Sequence, residues 1–373
     1  MYFTLEPKRK IEDLYDRKTE LAALKNIMAN GRMALLTGIR RIGKTSLLQV
    51  FLEESRKKNK TQYAFLDCRR FVKNNRIDRG EFDSAFEDSV KKALTKRTLS
   101  KILNAVSDAD INTPLVRVNL KKQAQKHYDI FQILDNINEG LGRDRRQLII
   151  AFDEAQNLRF YGVGGKSMLN LFAHIFDHLN NIKVIITGSE VGLLHDFLKL
   201  ENSDSPLYGR YIEEVELKRF EKEQSVDFLL KGFSQVHFKA DRKEIEKAVS
   251  ILDGMVGYLV IYGYIVYTRK SYNKAIEKSV EMAEKLVKHE IEELRIRSEN
   301  HTKVLKAVAF GTNTFSKIKK YIEINYGNIN DQTLSKNLQL LTKQGFLEYK
   351  YDKGSKVYFI PDPIVSKVVM SLK

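Results

Sequence analysis

Gly38-Ile39-Arg40-Arg41-Ile42-Gly43-Lys44-Thr45, followed by Ser46, has the spacing G-x-x-x-x-G-K-[ST]. It comes directly after an apolar run, Met33-Ala34-Leu35-Leu36-Thr37, and opens a helical pattern from Ser46 to Glu54. A strand, a glycine loop and a helix in that order turn successive backbone N–H groups toward one point. The helix adds its positive end, and together these bind phosphate. Gly38 to Ser46 are therefore the expected phosphate-binding residues. Lys44 is expected on the β- and γ-phosphates, and the Thr45 hydroxyl on Mg2+.

Outward from this loop, apolar runs alternate with helical patterns over the first 220 residues, the signature of βαβ units and a parallel sheet. Five runs read as strands: 33–37, 62–67, 147–153, 183–187 and 211–217. The third ends in Asp153-Glu154. Open parallel sheets bind ligands at the C-terminal edge of their strands. Asp153 is thus expected to hold Mg2+, and Glu154 to act as general base toward water. A base aimed at water points to hydrolysis, not transfer to a small molecule. Asn59-Lys60-Thr61-Gln62 carries Gln where a guanine-reading Asp is needed, so ATP is the expected nucleotide. The fourth strand runs into Gly188-Ser189-Glu190. Ser189 reads either as orienting water or the γ-phosphate, or as the N-cap of a helix from Val191 to Leu198. Arg210, just before the fifth strand, is a candidate for neutralising transition-state or γ-phosphate charge, in cis or in trans.

The chain has 373 residues, 43% of them hydrophobic, enough for two or three domains with filled cores. Wholesale disorder is excluded on that ground. A single cysteine, Cys68, allows no internal disulfide and no Cys/His zinc framework, which fits a reducing, cytoplasmic setting. The N-terminus lacks the apolar core of a signal peptide. No segment reaches the roughly 20 apolar residues that cross a bilayer, so no membrane role is expected. His174 and His178 lie four apart but lack the Glu of H-E-x-x-H and read as helix, not metal ligands.

The net charge of +16 and a pI near 9.5 favour polyanionic partners without choosing among them. The charge sits in two places: residues 54–126 carry 18 basic and 9 acidic side chains, and residues 301–373 carry 12 Lys, no Arg and 5 acidic residues. The chain divides into a core (1–218, with a basic helical insertion at 71–140), an all-α stretch (219–297) and a C-terminal unit (298–373). In the middle stretch Ile276, Val280, Ala283, Val287, Ile291 and Leu294 recur at helical spacing. The last unit reads as three helices and a hairpin turning at Asp352-Lys353-Gly354-Ser355, the order of a winged helix-turn-helix. Along its third helix, Asp331 to Gln344, the residues Ser335, Lys336, Gln339 and Lys343 face outward. With Lys353 and Lys356 of the wing they form a candidate surface for double-stranded DNA. No arginine is available there for guanine, so backbone contact is favoured, and a protein partner is equally open.

With these pieces in order, the chain resembles the archaeal P-loop ATPases of the STAND class, a branch of the AAA+-like ATPases related to replication initiators. Leu14-Tyr15-Asp16-Arg17-Lys18-Thr19-Glu20-Leu21 matches that family's F-x-G-R-x-x-E-L box, with Asp16 in place of Gly. Pro206-Leu207-Tyr208-Gly209-Arg210 and Leu217-Lys218-Arg219-Phe220 match later motifs. Gly254-Met255-Val256-Gly257-Tyr258-Leu259 matches its lid turn, with Val256 where Pro stands. The resemblance implies that Tyr15 and Arg17 lie against adenine and that Tyr258 reaches the nucleotide from a helical lid. It implies a five-stranded parallel core with the phosphate-loop strand in the middle. It further implies a slowly hydrolysing ATP/ADP switch with Mg2+; the alternative is a DNA-associated regulator with nucleotide as a structural ligand.

Overall fold

The computed structural model describes residues 1–57, 60–95 and 130–372. The helical reading of the insertion between 96 and 129 lies outside the described residues. In chain order the core comprises α1 (Lys18–Asn30), β1 (Met33–Thr37), α2 (Lys44–Lys57) and β2 (Thr61–Asp67). A short hairpin of β3 (Val72–Lys73) and β4 (Arg76–Ile77) follows, then α3 (Arg79–Ala93), α4 (Ile130–Arg143) and β5 (Gln147–Asp153). It is completed by α5 (Lys166–His178), β6 (Ile182–Gly188), α6 (Val191–Leu198) and β7 (Glu213–Glu216).

The five main strands pair in the order β2-β5-β6-β1-β7, all parallel. The phosphate-loop strand β1 is therefore second from the edge; β6, not β1, is the middle strand. Only β7 lies beyond β1, and it is short, with a single buried residue, Val215. Strand alternation splits the interior into two layers. Ala34, Leu36, Ala151 and Ile185 pack with Leu24, Leu47 and Phe51 of α1 and α2. Met33, Leu35, Ile150 and Phe152 pack on the other face with Phe82, Phe86, Leu134 and Phe172 of α3, α4 and α5.

The lid holds α7 (Lys222–Gln235), α8 (Arg242–Leu252), α9 (Val256–Arg269) and α10 (Ala275–Arg297). Glu221 and Gln224 form a reciprocal capping box at the start of α7, satisfying two donors that the helix leaves open. Phe3 is fully buried against Gly232 and Gly263, where a side chain on either glycine would lie within 2.3 Å of its ring. Tyr2 stacks on Phe228 at 5.6 Å. The first residues thus pack in the lid, although sequence order assigned them to the core.

The C-terminal unit comprises α11 (Glu299–Ala309), α12 (Phe315–Tyr326), α13 (Asp331–Lys343), the hairpin β8 (Glu348–Asp352) and β9 (Ser355–Phe359), and α14 (Pro363–Ser371). It is a winged helix. Helix α14 was not anticipated. Asp362 caps it by accepting from the N–H groups of Ile364 and Val365, Pro363 takes the first helical position, and Ile364, Val365, Val368 and Val369 are buried. The Asp-Pro pair followed by that spacing was a readable signal. One apolar cluster runs from the α1/α2 side of the sheet through the lid into the winged helix. No helix among the described residues is long and apolar enough to cross a membrane.

Candidate nucleotide site

Between β1 and α2 the chain must curl tightly enough to aim its N–H groups inward. Gly38 has φ 135, and a Cβ there would meet the Leu217 carbonyl oxygen at 2.4 Å, so only glycine fits. Arg41 (φ 65) and Glu154 (φ 55) also adopt left-handed backbone, a region that side-chain-bearing residues populate sparsely. The Lys44 amine is buried and donates to the Gly38 and Ile39 carbonyls, both at 2.8 Å. It thereby spans the loop it is expected to serve. Burial lowers its pKa to about 8 although Glu154 and Asp153 are near.

Asp153 ends β5 within reach of two hydroxyls: Thr45 Oγ1 donates to its Oδ2 at 3.1 Å, and Thr187 Oγ1 donates to Oδ1. Burial and the neighbouring Glu154 push its pKa up, against the pull of these hydroxyls. A hydroxyl and a carboxylate oxygen converging beside the phosphate loop suit a hard cation such as Mg2+. Three bonds meet on Glu154 Oε2: from Gln156 Nε2 at 2.7 Å, Ser189 Oγ at 2.6 Å and Ser189 N at 3.1 Å. Burial alone would raise Glu154, but Lys44 and these donors outweigh it and hold the carboxylate below its usual range. Ser189 serves Glu154 and does not cap α6; Glu190 occupies the cap position, without a side-chain cap bond. Gln156 was missed in the sequence, because nothing in a lone glutamine two residues past Glu154 indicates that it turns back.

A cleft of about 1120 Å³ opens over the loop between core and lid, slightly larger than ordinary small-molecule pockets. Tyr15 and Arg17 line it together with Phe220, Val256 and Tyr258. The Tyr15 hydroxyl donates to Asp227 at 2.5 Å. Arg17 donates to the Lys218 carbonyl at 2.7 Å and stacks 4.7 Å over Phe220. Asp16 takes φ 43, and its carboxylate accepts from Gln224 Nε2 at 2.6 Å. That left-handed backbone accounts for the family's Gly, and Asp is among the residues that tolerate it. Val256 is the first residue of α9, a position that Pro fills equally well. Tyr258 is fully buried and donates to Asp362 Oδ2 at 2.8 Å, so its hydroxyl is directed at the winged helix.

Arg210 is brought nowhere near the phosphate loop. Its guanidinium grips Asp177 near the C-terminus of α5, with Nε at 3.0 Å, and also the Pro206 carbonyl. Both Asp177 and the entry into β7 lie at the N-terminal edge of the sheet, opposite the phosphate loop. Besides Arg17, the arginines that the structure does bring to the cleft are Arg40, Arg41, Arg69, Arg159 and Arg297. Arg40 donates to Glu190 at 2.7 Å and to the Gln344 carbonyl at 3.1 Å. Arg41 donates to Glu290 at 2.5 Å and lies 3.6 Å from Asp362. The variable positions of the phosphate loop thus reach lid and winged helix.

On the winged helix, Lys336, Gln339, Lys353 and Lys356 are exposed and Ser335 half-buried. Lys343 is not free: it pairs with Asp196 of α6 at 2.7 Å, as part of the seam between winged helix and core. Lys356 sits 4.2 Å over the Tyr349 ring. His174 bonds Asp135 at 2.7 Å, and among the described residues no cluster of metal-ligating side chains occurs.

Comparisons with known proteins agree with this geometry. A family profile described as "ATPase domain predominantly from Archaea" matches residues 14–261, and one described as "MCM protein C-terminal winged helix-turn-helix domain" matches residues 295–359. A Walker-type ATPase of Pyrococcus abyssi is 37% identical, with a TM-score of 0.81 over 99% of both chains. The ORC2 protein of Aeropyrum pernix, solved in ADPNP-ADP complexes, has a TM-score of 0.64 at 14% identity, covering 98% of this chain and 94% of that one, a likeness of fold. An uncharacterized protein of Methanocaldococcus jannaschii is 28% identical over 189 residues, 48% of this chain but only 38% of that relative's length. With its phosphate loop, Asp153-Glu154 pair and a profile match that spans about two thirds of its length, the chain belongs to the family of ATPase domains found predominantly in Archaea.

Proposed function

We propose that the protein is a slowly hydrolysing ATP switch of the STAND class, whose nucleotide state passes through the lid to the winged helix. ATP or ADP sits on Gly38 to Ser46 with Lys44 on the phosphates. Thr45 and Asp153 are the residues that would hold Mg2+, which when bound neutralises phosphate charge. Glu154, oriented by Ser189 and Gln156, accepts the proton of the attacking water. The observation that carries the switch reading is that Arg40 and Arg41, inside the phosphate loop, bond directly to winged-helix and lid residues. A change in the loop's occupancy therefore changes the groups that hold the winged helix. The test is small-angle scattering with ATP, with ADP and without nucleotide on the Glu154→Gln protein. A scattering curve that is the same in all three states, despite measured binding, refutes the switch.

A second reading, a DNA-associated regulator with nucleotide as structural ligand, is favoured by the exposed Lys336, Lys353 and Lys356 on the winged helix. Duplex binding that weakens steeply with salt, and turnover that stays negligible with and without DNA, would select it.

A further inference from the structure

The hairpin of β8 and β9 sorts its side chains by face. Its register sets Tyr349 opposite Tyr358 and Tyr351 opposite Lys356, and alternation puts these four on one side. Glu348, Lys350 and Asp352 take the other side with their partners. Both carboxylates of the hairpin are thereby kept off the tyrosine side, where Lys356 is the one charged hairpin residue. Tyr358 is partly buried against the apolar cluster, Tyr349 is 41% exposed and Tyr351 67% exposed, so the row climbs from the interior into solvent. Tyr349 lies 5.8 Å from Tyr351 in a T-shaped contact and 6.0 Å from Tyr358. The Lys356 amine stands 4.2 Å from the centre of the Tyr349 ring and 6.0 Å from that of Tyr351. Lys353 and Lys356 are exposed, and among the described residues neither makes an ion pair or a hydrogen bond.

A cross-strand aromatic pair stabilises a hairpin, and Tyr349 with Tyr358 supplies it. Tyr351 is opposite a lysine, and with most of its surface in water it adds little to packing. We infer that this face of the wing binds single-stranded nucleic acid, with a base stacked on Tyr351 and the adjoining phosphates on Lys356 and Lys353. Charge complementarity selects that occupant: residues 301–373 carry 12 Lys against 5 acidic residues, and unpaired ammonium groups beside a flat exposed ring match a base on its phosphate backbone. A duplex keeps its base faces closed in the stack and offers only edges and phosphates, so it has nothing for Tyr351. The site is therefore separate from the duplex surface built around Lys336, and it does not depend on the ATP reading.

The experiment is fluorescence anisotropy of the full chain with labelled oligo(dT), labelled oligo(U) and a duplex of the same length, each over a salt series. Tyr351→Ala is expected to lose about 5- to 100-fold in affinity for the single strands with the salt slope unchanged, because stacking releases no counterions. Its duplex affinity should move by less than about twofold. Tyr351→Phe keeps the ring and should stay within about twofold of the parent, which separates stacking from any loss of folding. Lys356→Ala should lower the single-strand salt slope by about 0.7. Binding of either oligomer supports the inference, and the tighter one identifies the sugar. It is overturned if neither oligomer binds, if Tyr351→Ala binds them as the parent does, or if that variant loses single strand and duplex alike. Loss of self-association in Tyr351→Ala with oligomer affinity intact assigns the face to a second copy of the chain and likewise overturns it.

Discussion

Arg40, in the phosphate loop, holds its guanidinium carbon 5.0 Å from the centre of the Phe346 ring in the winged helix. The same side chain bonds the Gln344 carbonyl, and Arg41 next to it faces Glu290 and Asp362. A cation over an aromatic face and partly buried ion pairs contribute most where water is excluded. The double variant Arg40→Ala/Arg41→Ala is therefore expected to lose about 2–4 kcal/mol of stability, since it leaves carboxylates half-buried without partners. Its winged helix should be cut by protease faster than that of the parent. Equal cleavage rates would show that these contacts do not hold the unit.

Replacing Glu154 by Gln removes the base while keeping the shape that Ser189 and Gln156 surround. Nucleotide affinity should stay within about threefold and turnover fall by about 10²- to 10⁴-fold, the usual share of general-base catalysis. Pre-steady-state phosphate release measures it. Retained turnover would move the base elsewhere.

Lys44, with a pKa lowered to about 8 by burial, is partly neutral in mildly alkaline solution. A polyphosphate favours its charged form and raises that pKa, so binding near pH 8.5 should take up a proton. Affinity should fall as pH rises above about 8. Calorimetry in buffers of different ionisation enthalpy reads the proton directly; a buffer-independent enthalpy at pH 8.5 contradicts the burial of this amine.

If the winged helix contacts duplex backbone, Lys336→Ala and Lys353→Ala should each weaken binding for all sequences alike and lower the salt slope by about 1. Lys343→Ala should do little, because Asp196 already holds that lysine at 2.7 Å. Asp196→Ala should strengthen binding by freeing it. Fluorescence anisotropy across a salt series decides, and a slope unaffected by Lys336 and Lys353 removes this surface as the DNA face.

His195 and Glu214 tie α6 to β7 at 3.3 Å. The hydrogen bond that His195 donates to Glu214 raises His195 above its ordinary 6.5, and the same bond depresses Glu214 below 4.5. The histidine's share of stability is complete below about pH 6.5 and is lost as pH rises through its raised pKa. The glutamate's share is present above about pH 4.5 and is lost as pH falls through its lowered one. Both groups are partly exposed, so the pair is worth below about 1 kcal/mol. The melting-temperature gap between the parent and His195→Ala should thus be wider at pH 6 than at pH 8.5. A gap of equal size at both values excludes the pairing.

The sequence by itself determined the elements that depend on local order. Gly38 to Thr45 could be read because the glycines, Lys44 and Thr45 act through neighbouring backbone, and Asp153-Glu154 because five apolar residues lead straight into them. The apolar runs of β1, β5 and β6 and the spacing in α10 are likewise properties of short windows, and each element lies within a few residues of its expected place. Tertiary structure alone decided the rest. Strand order is set by crossovers of many residues, so that β6 took the centre. Arg210 was drawn to Asp177 at the far edge of the sheet, while Arg159 and Arg297, separated by more than a hundred residues, came to one cleft. Gln156 turned back on Glu154, and Lys343 was taken by Asp196. In each case the partner is distant in sequence or the side chain had several rotamers open, and packing made the choice.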